Sequence, residues 1–435
     1  MASRSPEIVR AFEYGRIDLP RRWDTARIRE RLELASARVG VRAFETRGRH
    51  LYALGITGVV DLGQLVVEIL PKVSRESTAA EGQLFLTDLL RFGGVLKQLA
   101  IIDAQIATGE RTMLEVILAW AAREASRNFS EGMPKRYEAR EETSTAVRGR
   151  IQLAHMARQR PGKEFELRVR YAPMTEDNAL SRIIRWLVGR ISEITRVTNT
   201  QVICRRLIQD FGPTSREVAV CDLERLVLQP GDLRWQPLLD LARLLISQDA
   251  PNPGRAGETQ AIAVLFRLHD LFERCLRRIF TEGLPQNGVE LRRLSRHLLR
   301  AVSNDSMLLQ LRPDFVFQTH GEKPRTFIGD AKWKRIVAAN GEISLSEADA
   351  YQIVAYLTSL NAEEGVVFCP LAATPGSGLW QVHSYGLMGT KKKIHVVGTY
   401  LPQLITPGAI GANAREMLCK CIAELFEVAQ AGLAA

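Results

Sequence analysis

No apolar run in this 435-residue sequence approaches the ~18 residues of a membrane span, which excludes an integral membrane protein built on helices. The first residues, Met1-Ala2-Ser3-Arg4-Ser5-Pro6-Glu7, lack the apolar stretch of a secretion leader. Cysteine is scarce: Cys204, Cys221, Cys275, Cys369, Cys419 and Cys421 are all there are, and none forms a C-x-x-C pair. That spacing argues against a zinc ribbon. Several of them sit inside apolar helical patterns, so reduced buried thiols and a cytoplasmic protein are expected. There is no repeat of fixed period, no low-complexity tract and no G-x-x-x-x-G-K-[ST] loop, so the chain is not itself an NTP-driven motor. With 18 Pro and 32 Gly it is not collagen-like, and 46% hydrophobic residues exclude a mainly disordered chain.

What the sequence does have is basic charge. The 59 Lys+Arg against 49 Asp+Glu give a net +10, which favours a polyanionic partner and says nothing of the fold. At ~150 residues per domain the length predicts about three domains. Residues 51–70 are β-rich: short apolar runs punctuated by Gly55, Gly58 and Gly63 and stopped by Pro71. Helical patterns follow at 81–92 and 112–129. Between 133 and 153 a polar stretch flanks Glu141-Glu142-Thr143-Ser144-Thr145, and it reads either as a projecting hairpin or as a solvated loop. Helices resume at 178–194 and 235–247. Residues 248–257, with two Pro and two Gly, read as a linker. Beyond it the pattern predicts a long helix over 258–281, strands within 307–333, a helix at 346–360, strands at 365–369, 379–384 and 393–398, and a closing helix at 414–429. The expected organisation is multidomain mixed α/β: a β-rich domain at 1–75, a helical region at 76–247 carrying the hairpin, and a mixed sheet flanked by helices at 258–435.

Two segments carry chemistry: Arg312-Pro313-Asp314-Phe315-Val316-Phe317 and Phe327-Ile328-Gly329-Asp330-Ala331-Lys332. Each is a short apolar strand with acids where a buried strand avoids them. If the turn-like Thr319-His320-Gly321-Glu322-Lys323-Pro324 joins them as a hairpin, the centre is (314 + 330)/2 = 322 and Asp314 lies opposite Asp330. Val316–Ile328 and Gln318–Thr326 then pair on the same face, with Lys332 beyond Asp330. The other face carries Phe315, Phe317, Phe327 and Trp333. Two carboxylates so placed repel unless a cation lies between them or one is protonated. Mg²⁺ suits such a pair, and an adjacent ammonium can position or deprotonate water or stabilise a phosphate's developing charge. An edge hairpin with solvated or paired Asp and Lys is the plain structural alternative. Gln352 and Tyr356 share a helix face at i, i+4, as do His269 and Glu273; His269 reads as a packed or surface histidine and Glu273 as a solvent-facing acid or a site residue. Arg274, Arg277, Arg278, Arg292, Arg293, Arg296 and Arg300 form a basic cluster suited to phosphate contacts or to a solvated face.

Pro313-Asp314, Asp330-Ala331-Lys332 and Gln352-x-x-x-Tyr356 together resemble the PD-(D/E)xK nuclease core with a Gln-x-x-x-Tyr helix. Nearly the full length resembles the McrC family, the nuclease subunits of McrBC-type modification-dependent (5-methylcytosine) restriction systems. The further matches are Ile69-Leu70-Pro71-Lys72, Val147-Arg148-Gly149-Arg150-Ile151 and Thr175-Glu176-Asp177-Asn178-Ala179-Leu180-Ser181-Arg182. The resemblance implies an Mg²⁺-dependent DNA endonuclease, with Mn²⁺ substituting, in which Asp314, Asp330 and the Ala331 carbonyl hold metal and Lys332 is the catalytic lysine. It further implies that Glu273, Gln352 and Tyr356 support the site. The second acid is Asp where the commoner motif has Glu. The implied partners are double-stranded DNA and a McrB-like AAA+ GTPase ring, and no membrane. Arg148 and Arg150 on the 133–153 arm are the candidates for stimulating that ring. Two other readings stay open: a non-catalytic NTPase-activating adaptor that holds DNA, and a repair nuclease acting with a helicase.

Overall fold

The computed structural model describes residues 6–38, 40–72, 77–95, 111–153, 166–212, 218, 220–246, 261–292, 296–300, 307–334, 336, 345–362, 364–371 and 379–426. The chain divides into two compact units, Met1–Met113 with Thr259–Ala435, and Leu114–Glu258.

The first unit opens with β1 (Glu7–Phe12), β2 (Arg16–Ile17), α1 (Ala26–Arg38), β3 (Phe44–Arg47), β4 (His50–Ala53), β5 (Ile56–Asp61), β6 (Leu65–Leu70) and α2 (Ala79–Phe92). The β5–β6 connection turns where Gly63 takes φ +94° and donates its N–H to the Asp61 carboxylate at 2.7 Å. Both strands are buried at every position, so both faces of their sheet are covered. A carboxylate in such a strand needs partners. Glu68, fully buried, accepts from Arg10 Nε at 2.8 Å, Gln83 Nε2 at 2.8 Å and the Met113 N–H at 2.6 Å. The helix α2 starts on a capping box between Thr78 and Glu81.

The second unit holds α3 (Met113–Ser130) apart from its first residue, β7 (Arg136–Tyr137), β8 (Arg140–Ser144), β9 (Arg150–Ile151), β10 (Leu167–Tyr171), β11 (Met174–Thr175), α4 (Ala179–Ile194), α5 (Thr198–Phe211), α6 (Val220–Glu224) and α7 (Gln236–Ile246). The expected hairpin over 133–153 is not a self-paired one. The strands β8 and β9 do not bond to each other; both pair antiparallel with β10, in the order β8-β10-β9. The physical reason is that polar strands gain ladder partners from Leu167–Tyr171, whose Val169 is fully buried. The Asp177-Asn178-x-x-Ser181-Arg182 run has a local structural task. The Asn178 carboxamide caps α4 by accepting from the Ser181 N–H at 3.2 Å, and Arg182 Nε bonds Asp177 at 2.7 Å.

The chain then returns to the first unit as β12 (Ile262–Arg267), α8 (Leu268–Gly283), β13 (Val289–Arg292), β14 (Arg296–Arg300), β15 (Met307–Leu311), β16 (Phe315–Thr319), β17 (Thr326–Ala331), α9 (Glu347–Ser359), β18 (Glu364–Pro370), β19 (Trp380–Gly386), β20 (Lys393–Thr399), α10 (Leu401–Ile405) and α11 (Ala409–Leu425). Two expectations are corrected here. The helix predicted over 258–281 is a strand followed by a helix, because Ile262–Arg267 completes the sheet β1-β6-β5-β12. Gly58, at φ +129°, makes this pairing possible: a Cβ there would lie 2.0 Å from the Val264 carbonyl oxygen. The chain is therefore not a succession of three domains, since its N-terminal sheet is finished by a strand from beyond residue 258. Residues 248–250 and 251–257, read as the linker, lie outside the described residues.

The larger sheet is mixed, in the order β13-β16-β17-β18-β20-β19, with β17, β18 and β20 parallel and the remaining pairs antiparallel. One face carries the phenylalanines. Phe280 of α8 meets Phe315, Phe317 and Phe368 with ring centroids 5.3, 5.4 and 5.0 Å away, and Phe426 after α11 stacks on Phe327 at 3.9 Å. The opposite face packs Val316, Ile328 and Val367 against Ile353, Tyr356 and Leu357 of α9. Helices thus cover both faces of the strands that bear the acids.

Candidate active site

The register places the acids. Phe315 pairs with Gly329, Val316 with Ile328 and Gln318 with Thr326, so Asp314 and Asp330 meet at the next step of the same ladder. Gly329 permits the close pairing, because a Cβ there would lie 2.7 Å from the Phe317 ring. Asp314 is fixed by the chain of the opposite strand: its Oδ2 accepts the Ala331 N–H at 2.7 Å. Asp330 is buried, with 3% exposure, and its Oδ2 lies 2.6 Å from the Lys332 Nζ. Lys332 leaves the sheet just after a last bond from its N–H to the Phe368 carbonyl at 2.8 Å, which holds its stem over α9.

The helix α9 supplies the rest. Lys332 Nζ donates to the Gln352 Oε1 at 2.7 Å; Gln352 Nε2 donates to the Tyr356 hydroxyl at 2.9 Å, and that hydroxyl reaches the Arg312 carbonyl at 3.4 Å. Asp349, buried under the same turn, accepts from Lys334 Nζ at 2.9 Å and lies 3.9 Å from Lys332 Nζ. Across the sheet end, α8 brings His269 and Glu273 beside Asp314, with one ligand atom from each of the three within 4.8 Å of the others. Arg277 holds this corner: it bonds Glu273 Oε1 at 2.8 Å, donates to the Asp314 carbonyl and lies over the Phe315 ring.

The electrostatics follow from burial and crowding. Burial, then the Asp330 charge, pushes Asp314 up to about 7 against the Ala331 hydrogen bond. Burial likewise raises Asp330, opposed by the Lys332 hydrogen bond and charge. For Lys332, burial alone favours the neutral amine, but the Asp330 hydrogen bond and charge, with Asp349 and Asp314, hold it above its ordinary value. It therefore stays an ammonium at neutral pH.

Every site residue expected on the 273–356 stretch lies in one constellation: Glu273, Asp314, Asp330, Ala331, Lys332, Gln352 and Tyr356. Two more belong to it that the sequence reading did not assign. His269 stands with the acids rather than only packing, and its i, i+4 relation to Glu273 was the available signal. For Asp349 the only signals were Ser346-x-x-Asp349 at the start of α9, which by itself reads as a cap, and its i, i+3 and i, i+7 relations to Gln352 and Tyr356. The basic cluster is partly spent on the fold: Arg277 braces the acids, Arg278 bonds Glu282 and the Phe92 carbonyl, and Arg292 bonds Glu290. Arg274 is exposed, while Arg293 and the side chains of Arg296 and Arg300 lie outside the described residues. In the second unit Arg148 and Arg150 flank Gly149 (φ +64°), and both are exposed.

Sheet, helices and the acid–lysine corner define a mixed α/β protein whose strand ends gather carboxylates, an ammonium and a histidine in one place. The chain belongs to the family of McrBC 5-methylcytosine restriction system components, whose model matches residues 51–369 and so spans the whole corner. Its fold is similar to that of a chain in the refined half-complex from the tetradecameric assembly of Thermococcus gammatolerans McrB AAA+ hexamers with bound McrC. That match has a TM-score of 0.62 at 16% identity and covers 94% of this chain and 99% of that one. A second chain, from the Thermococcus gammatolerans McrBC complex, matches with a TM-score of 0.48 at 17% identity over 64% of this chain and 90% of that one. No curated protein sequence matches. No helix among the described residues is long and apolar enough to cross a membrane.

Proposed function

We propose that the chain is the McrC-type nuclease subunit of a restriction system, hydrolysing DNA phosphodiesters at the Asp314–Asp330–Lys332 corner with Mg²⁺, in a PD-(D/E)xK core. The observation that carries this is the convergence of two opposed carboxylates and an ammonium, with Asp314 pushed up to about 7. Carboxylates crowded at the end of a covered sheet weaken the fold by mutual repulsion unless something uses them. Their hard oxygens fit a divalent cation, as do the Glu273 carboxylate and the Ala331 carbonyl beside them, while His269 offers a nitrogen that also suits Mn²⁺.

Bound there, Mg²⁺ would supply Lewis-acid stabilisation and a more acidic water. The chain's own residues do the remainder. Asp314 and Asp330 hold the cation, the former oriented by the Ala331 N–H. Lys332, kept charged by Asp330, acts as a cation toward the phosphoryl oxygens or the attacking water; a raised lysine is a poor general base. Gln352 and Tyr356 set the position of that ammonium, and Arg277 sets that of Glu273.

The family and the likeness to a McrB–McrC assembly support an AAA+ ring as the partner and DNA as the substrate. Asp330→Ala and Lys332→Ala are expected to lower Mg²⁺-dependent cleavage by about three orders of magnitude, measured with the AAA+ partner and GTP present, while partner binding persists. Undiminished cleavage by either variant would overturn the nuclease assignment of this corner.

A further inference from the structure

Beside the acid–lysine corner, within the first unit, lies a cleft of about 370 Å³ lined by Glu13, Tyr14, Lys72, Trp333, Lys334, Pro370 and Leu371. We propose that this cleft is a nucleotide subsite that holds one nucleotide of the DNA strand next to the cleaved bond, its base against Tyr14 and the Trp333–Pro370–Leu371 wall and its phosphate between Lys72 and Lys334. The proposal rests on DNA being the substrate of the adjacent corner. It assigns a task to Lys72 of the Leu70-Pro71-Lys72 run and to Tyr14, neither of which takes part in the chemistry described above.

Four observations carry it. The volume falls within the range of small-ligand pockets. The lining combines an aromatic and apolar wall with two ammonium groups, which matches a ligand that is flat and apolar at one end and anionic at the other. The acid in the wall is turned to structural use: Glu13 accepts from the Lys72 N–H at 3.1 Å and from Trp333 Nε1 at 2.9 Å, joining the two sides of the cleft. The cleft also abuts the corner directly. Trp333 and Lys334 follow Lys332 in the chain, and the ammonium groups of Lys332 and Lys334 share the Asp349 carboxylate, at 3.9 and 2.9 Å.

Tyr14 takes φ +53° in the turn between β1 and β2, where the Gly15 N–H bonds the Phe12 carbonyl at 2.9 Å, and the residue is 57% exposed. Gly55 clears the space for its hydroxyl, since a Cβ at Gly55 would lie 2.3 Å from that oxygen. The turn thus presents an exposed aromatic residue to the lining of a cleft that also carries Lys72 and Lys334.

The test is binding of a fluorescein-labelled oligothymidine of about 12 nucleotides to the full chain in EDTA, followed by anisotropy at several salt concentrations. Lys72→Gln should weaken binding roughly tenfold and reduce the magnitude of the log–log salt slope by about 0.7, the loss of one single-strand phosphate contact. Gly55→Ala, which pushes Tyr14 aside and changes no charge, should weaken binding roughly fivefold with the slope unaltered. Wild-type binding by both variants overturns the subsite. Loss confined to Lys72→Gln overturns it too, because a surface charge then explains the effect. The nuclease reading fails separately: if Asp330→Ala leaves cleavage intact while both cleft variants lose binding, the subsite stands as a DNA-holding cleft and the assignment of the corner falls.

Discussion

A glycine and a set of thiols show how single residues are decided by their surroundings. Gly329 sits in a covered strand opposite Phe315, where an added Cβ meets Phe317 at 2.7 Å and Phe315 at 3.0 Å. Gly329→Ala should destabilise the chain by about 1–3 kcal/mol through overpacking, read as a lower urea midpoint at unchanged slope. The thiols of Cys204, Cys275 and Cys419 are pushed up to about 12 by burial. They should stay unmodified by a thiol reagent near pH 8 in the native chain and react fully in denaturant; rapid native labelling would contradict their burial. At this scale the sequence was informative about type and pairing. The alternation of Asp314, Val316 and Gln318 against Asp330, Ile328 and Thr326 is a period-two pattern that survives folding unchanged. The role of Asp349 was harder to see, because an acid near a helix start is usually no more than a cap.

Among elements, β18 and the β8-β10-β9 sheet make opposite demands on charge. Glu364 at the start of β18 is lowered by the His395 hydrogen bond, against burial, with Lys393, His395 and Arg325 adding attraction. Its folded value lies below 4.5, so its contribution is complete above the unfolded value and lost as pH falls through the folded one. Glu364→Gln should therefore be less stable than wild type at neutral pH, and the gap should close as the pH falls below the ordinary carboxylate range; a gap that widens in acid refutes the assignment. In the second unit, Arg150 stands opposite Arg170 in the β9–β10 register, with Arg148 close by and both candidates exposed. Like charges facing each other are tolerated in water and favoured when an anionic partner covers them. Arg148→Ala with Arg150→Ala should lower the stimulation of an AAA+ partner's GTP hydrolysis without changing DNA cleavage chemistry. Superimposable steady-state rates against concentration would exclude this sheet as the contact. The sequence read its polar strands correctly and their pairing wrongly, since periodicity along a strand carries no information about which distant strand will bond to it.

For the whole molecule the decisive feature is that β12 bonds along β5, and Trp333 bonds Glu13, so residues 259–435 and 1–113 complete one unit. A fragment of residues 259–435 alone should consequently fail to fold, with a non-cooperative thermal transition by circular dichroism, and should regain cooperativity when residues 1–113 are supplied. A sharp transition for the isolated fragment would reinstate an independent C-terminal domain. The sequence by itself determined the local quantities: the helices from their apolar spacing and caps, the two acid-bearing strands, the facing of Asp314 and Asp330, and the family resemblance through short ordered motifs. Those features depend on neighbours a few residues apart, or on one tight hairpin. The tertiary structure alone decided the strand at 262–267, the central place of β10, the entry of His269 and Asp349 into the acid–lysine corner, and the meeting of Tyr14 and Lys72 with Trp333 and Lys334. Each of these joins segments tens to hundreds of residues apart, and such contacts are selected by which buried edge or face remains to be covered, a condition that no local pattern encodes.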